Sequence, residues 1–147
     1  MSFFPDLQHP LHLCEVKVGT DDSLEIIVRH AVGQRETPVI GRNGWDIMSH
    51  PTQIEPSKTF SISFRSYVAM TVRVEHFAME DTNAEFEGKQ FVRFKASRYL
   101  SYINGTSWGE EVHPGTSFHY GLYCLNQLID IVSKEAPYVA FLGHTAR

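Results

Sequence analysis

From Phe60 to Glu75 the side chains alternate between apolar and polar, and this pattern limits the possible folds more than any other feature of the chain. Even positions read Phe60, Ile62, Phe64, Ser66, Val68, Met70, Val72 and Val74. Odd positions read Ser61, Ser63, Arg65, Tyr67, Ala69, Thr71, Arg73 and Glu75. Period two is the repeat of a strand, whereas a helix with this pattern would carry no coherent apolar stripe. Strands usually run about 3–10 residues, so the segment needs a bend or bulge near Arg65-Ser66, unless it forms one long coiled strand.

The rest of the chain is consistent with this. Short apolar runs are punctuated by Gly, Pro, Asn and Asp at the spacing of an antiparallel β protein. Leu11–Val18 and Leu24–His30 alternate on either side of Gly19-Thr20-Asp21-Asp22 and read as a hairpin. Asn43-Gly44, between Val39-Ile40 and Trp45–Met48, is a second hairpin signal, because Asn-Gly supplies the positive φ angles of a type I′ turn. Gly88–Lys95 is a further strand. Ser97–Ile103 reads as a short helix capped by Ser97 and stopped by Asn104-Gly105. Phe118–Ser133 fits either a helix, through Leu122, Leu125, Ile129 and Val132, or two strands about Asn126-Gln127; its β-branched and aromatic content favours the hairpin.

The expected fold is therefore α+β and mainly β. It is a single domain over 1–147, with a twisted antiparallel sheet, open or barrel-like, and one or two short helices. With 42% hydrophobic and 20% charged residues the chain can bury a core without a metal or disulfide staple. Cys14 and Cys124 sit among apolar neighbours and read as reduced, buried thiols.

Thirteen Lys and Arg are scattered and outnumbered by seventeen Asp and Glu, which argues against nucleic acid and anionic membranes as partners. No run is long enough to span a bilayer, and Met1–Asp6 lacks the charged and apolar regions of a signal peptide, so a cytoplasmic location is expected. Asn104-Gly105-Thr106 then reads as a turn rather than a glycosylation site.

Several segments resemble a pattern in small uncharacterised bacterial β-rich proteins. They are Phe64–Ala69, Val72–Glu75, Phe86-Glu87-Gly88, Ser97–Tyr102, His119-Tyr120, Leu125-Asn126 and Ile129-Asp130-Ile131. The resemblance covers about the last two thirds of the chain. It implies a bacterial single-domain protein and carries over no catalytic or binding residue.

No motif identifies a reaction. The eight histidines include only the near pairs His9/His12 and His113/His119, which match no zinc spacing, so no metal or cofactor is expected. There is no G-x-S-x-G elbow and no glycine-rich phosphate loop. His119 and Cys124, five residues apart, would face opposite sides of a strand, so no catalytic residue is assigned.

Two surfaces stand out. Arg65, Tyr67, Arg73 and Glu75 share the polar side of the long strand, and Arg98 can approach from the helix. Turned inward, this face would hold a small anion through guanidinium forks; turned outward, it makes ordinary cross-strand ion pairs. The acidic loop Glu80, Asp81, Glu85, Phe86 and Glu87, with Trp108, Glu110 and Glu111, would suit a basic protein partner anchored on an aromatic ring. The leading expectation is thus a non-enzymatic binding protein of immunity or inhibitor type. The alternative is a small-molecule binder or enzyme using the polar strand face. A homodimer through an exposed strand edge stays open.

Overall fold

A computed structural model describes residues 3–31, 38–40, 47–49, 57–74, 84–106 and 117–145, with 38–40 and 47–49 described by backbone alone. A 3-10 turn at Pro5–Leu7 precedes the hairpin β1 (Leu11–Val18) and β2 (Leu24–His30). The following strands are β3 (Pro38–Ile40), β4 (Ile47–Ser49), β5 (Ser57–Phe64), β6 (Tyr67–Arg73), β7 (Glu85–Glu87) and β8 (Phe91–Ala96). Helix α1 (Arg98–Thr106), β9 (Phe118–Tyr123), β10 (Leu128–Ser133) and β11 (Tyr138–Thr145) complete the order. The fold is α+β and mainly β, as the alternation requires. Its strands form two main antiparallel sheets, β1-β2-β5-β11 and β6-β10-β9-β8-β7, which do not close into a barrel, and a separate β3-β4 pair.

The alternating segment breaks at Arg65-Ser66, and the two halves join different sheets. Phe60, Ile62 and Phe64 of β5 are buried, as period two demands. A second irregularity follows, where Tyr67 pairs with Ser133 but Ala69 pairs with Val132. This shift lets both Tyr67 and Met70 pack on the core while Thr71 and Arg73 bond to groups on the opposite face.

One apolar core joins the sheets. Leu11, Leu24, Ile26, Val28 and Ile62 come from the first, and Phe91, Tyr120, Leu122, Ile129 and Ile131 from the second. The N-terminal segment covers part of it: Leu7 is buried, and Phe3 stacks on Phe91 at 5.5 Å. Gln8 fastens this cover to the β7–β8 turn. Its Oε1 accepts the Lys89 and Gln90 amides, and its Nε2 donates to the carbonyls of Phe3 and Phe91.

Several expectations are corrected. Glu85–Glu87 is not loop but an edge strand, because Gly88, at φ 98°, turns the chain back onto β8. Asn104-Gly105 does not stop the helix. Gly105 is not left-handed, and the last turn runs on to Thr106, whose hydroxyl donates to the Tyr102 carbonyl. The strict alternation of β1 fails at Cys14, where a bulge lets Leu11 and Leu13, then Val16, pack on the core.

Phe118–Ser133 is the hairpin β9–β10. The β3–β4 register, Ile40 opposite Ile47, is symmetric about Asn43-Gly44, although residues 41–46 lie outside the described set. Among the described residues no helix is long and apolar enough to cross a membrane.

The same bulge separates the two thiols chemically. Cys14 is exposed, against the sequence expectation, while Cys124 is buried and burial, with a smaller contribution from Cys14, pushes its thiol up to about 12. At pH 8 the folded protein should therefore give one thiol reacting with Ellman's reagent, and two in denaturant. Because the folded value lies above the ordinary 9.0, this group's contribution to stability should be complete below pH 9 and fall as the pH rises toward 12.

Candidate buried Ser-His-Asp site

Asp130 lies in the middle of the apolar run Leu128–Val132, on the second strand of a five-stranded sheet. Its carboxylate is almost wholly buried, and a buried charge has to be met by donors. Two reach it. Arg73 Nη2, from the end of β6, donates to Oδ2 at 2.7 Å, and His119 Nε2, from β9, lies 2.8 Å from Oδ1.

The register explains this geometry. Asp130 stands opposite Thr71 on one side and Gly121 on the other. Gly121 offers no side chain, so the carboxylate reaches diagonally to His119. The space above Gly121 is filled, since a Cβ there would lie 2.8 Å from Val92 Cγ2 and 3.0 Å from Phe94 Cε2.

His119 extends the chain of hydrogen bonds. Its Nδ1 is 2.6 Å from the hydroxyl oxygen of Ser97, the residue between β8 and α1. With the ring neutral, Nε2–H donates to Asp130 and the Nδ1 lone pair accepts the Ser97 hydroxyl proton. Ser97 Oγ in turn accepts the Leu100 amide at 3.0 Å, the capping bond its sequence position predicts. Phe94 stacks on the imidazole at 4.1 Å, and Tyr99 packs against it at 5.0 Å. The Tyr99 hydroxyl is 2.8 Å from Thr71 Oγ1, and burial raises its pKa. His119 is buried, whereas Ser97 is only partly so.

Serine, imidazole and carboxylate thus form one relay, with the N-terminus of α1 beside the serine. The arrangement can lower the cost of removing the Ser97 proton and can stabilise the imidazolium that results. The ring is turned the opposite way from that of serine proteases, in which Nε2 faces the serine. Sequence spacing gave no hint of this set, because its members come from three different elements. The available signal was an Asp within a strand run that is apolar on both faces, which had to be paired.

The residues singled out in the sequence are distributed differently. Arg65 is exposed in the bend, Tyr67 packs on the core, and Arg73 turns to Asp130, so the strand break and bulge part the first two from the third. Arg98 is the exposed first residue of α1. Glu85 and Phe86 are exposed on β7, whereas Glu87 pairs with Arg93. Glu75, Glu80, Asp81, Trp108, Glu110 and Glu111 lie outside the described residues. Among the described residues, no group of three His, Cys, Asp or Glu is placed to hold a metal ion. An open hollow of about 370 Å³ between Phe4–Leu7 and Pro137–Val139 shares no residue with the relay.

No protein-family model, curated protein or solved structure matches the chain.

Removing Arg73 leaves the buried carboxylate with one donor. Arg73→Ala should lower stability in urea unfolding by about 3 kcal/mol, at the lower end for a split buried pair because the guanidinium partly reaches water. Gly121→Ala should cost about 1–3 kcal/mol by forcing Val92, Phe94 and Tyr123 apart.

Proposed function

We propose that the protein is a serine-dependent acyl hydrolase with Ser97 as nucleophile, and the observation that carries this reading is the continuous Ser97–His119–Asp130 hydrogen-bond chain. Ser97 Oγ attacks the carbonyl carbon of an ester while its proton passes to His119 Nδ1. The bond from that carbon to the leaving oxygen breaks, and the leaving group takes the proton from Nδ1. Water then attacks the acyl-Ser97 ester and gives its own proton to Nδ1. The carboxylic acid departs, and the proton returns to Ser97.

Asp130 holds the ring in the tautomer this sequence needs. Arg73 is a positioning residue that fixes the carboxylate. The face of Phe94 and the Asp130 charge both favour the transient imidazolium. The partial positive charge at the start of α1 favours the oxyanion.

A fluorophosphonate probe tests the nucleophile directly. Wild-type protein should gain one adduct by mass spectrometry, mapped to Ser97, and His119→Gln should slow labelling by about 10²–10⁴-fold. Absence of Ser97 labelling in folded wild-type protein would mean that the relay only ties the start of α1 to the sheet, a role to which its capping bond is already suited.

The exposure of Phe86 beside Glu85 favours a second reading, the interaction module expected from the sequence. In it the ring anchors a basic partner protein, as an immunity- or inhibitor-type protein would, and β7, the outermost strand of its sheet among the described residues, supplies backbone groups. Glu85→Lys with Phe86→Ala would then abolish a complex seen by size-exclusion chromatography, while Ser97→Ala would leave it intact.

A further inference from the structure

Proton transfer through His119 needs a leaving group, and later a water, at Nδ1. In the folded protein that residue is only 2% exposed. Two rings pack on its imidazole. Phe94 stacks on it at 4.1 Å with 12° between the planes, and Tyr99 lies at 5.0 Å, tilted by 51°. The two are held very differently. Phe94 is buried in β8, stands opposite His119 in the register, and touches Phe86 and Tyr123 as well. It cannot leave without opening the sheet. Tyr99 is half-buried, two residues after Ser97, in the first turn of a helix whose buried residue is Ile103. Its hydroxyl is tied to Thr71 Oγ1 at 2.8 Å, and Thr71 stands opposite Asp130 in the sheet.

We infer that Tyr99 is a gate over the Ser97 site: bonded to Thr71 it shuts the imidazole from solvent, and swung away it lets an ester, then water, reach Ser97 and Nδ1. This rests on the reading of Ser97 as the nucleophile. One neutral hydroxyl–hydroxyl bond is a weak catch, so the closed form predominates while the open form stays within thermal reach. Rotation about the side-chain bonds of Tyr99 moves the ring and leaves the backbone where it is. The bond from the Leu100 amide to Ser97 and the bond from Ser97 to His119 therefore persist in both forms. The nucleophile is assembled throughout, and the gate decides when it can be used.

Thr71→Val keeps the shape of the side chain and removes the catch, and Tyr99→Phe removes it from the other side. Diethylpyrocarbonate, which acylates accessible imidazole, reads the gate, and the fluorophosphonate reads the serine. In both variants His119 labelling, mapped by mass spectrometry, should be about two- to tenfold faster than in wild type, the effect of losing one such bond. Exposed His144 should be labelled at an unchanged rate and serves as the internal reference. Formation of the Ser97 adduct should quicken by the same factor as His119 labelling. The double variant should be no faster than either single one, since each removes the same bond. Far-ultraviolet circular dichroism would verify that the variants fold.

Unchanged His119 labelling in both variants would overturn the gate. Faster His119 labelling with an unchanged rate of Ser97 adduct formation would overturn it too, because access past Tyr99 would then not limit the serine. No Ser97 adduct in any of the proteins, with His119 labelling faster in the variants, would overturn the nucleophile while the catch on Tyr99 stood.

Discussion

A carboxylate removed from water is the most demanding group in this molecule, and Asp130 places one in the interior of a sheet. Desolvating it costs several kcal/mol, more than the roughly 1.5–3 kcal/mol that burial of one Leu or Ile side chain returns. Both of its oxygens therefore need donors of fixed geometry. Arg73 and His119 supply them from the two flanking strands, at 2.7 and 2.8 Å. Holding His119 in this way directs its other nitrogen to Ser97, and Ser97 sets where α1 begins. The helix, the middle of the sheet and the edge of β6 are thus tied to one charge. The Ser97–His119–Asp130 hydrogen-bond chain that results is the basis of the nucleophile role proposed for Ser97.

The parts of the fold legible in the sequence were those fixed by neighbouring residues. Alternation gave the β1–β2 hairpin, and β-branched content favoured the β9–β10 hairpin over a helix. The length limit on strands located the break at Arg65-Ser66, and the Ser97 side chain marked the start of α1. What was not legible depended on partners distant in sequence. Bulges at Cys14 and beside Tyr67 reset which face points inward, and nothing in a two-residue period announces them.

The site was hidden for the same reason. Sequence proximity pairs His119 with Cys124, while its actual partners are 22 residues before it and 11 after it. Phe86 was legible as an aromatic among acids. That it stands in line with Phe94 and His119 required the register of β7 on β8.

The passage of one chain segment from sheet to sheet also governs how the molecule can be made. β5 is held between β2 and β11, and β6 is held by β10. During synthesis β5 can pair with β2 early, but it must wait about 75 residues for its second neighbour, β11. Until residues 138–145 have left the ribosome, one edge of β5 stays open and the shared core lacks Val139. Over those roughly 75 residues the nascent chain carries an unsatisfied apolar strand, a period in which chaperone capture or mispairing competes with folding.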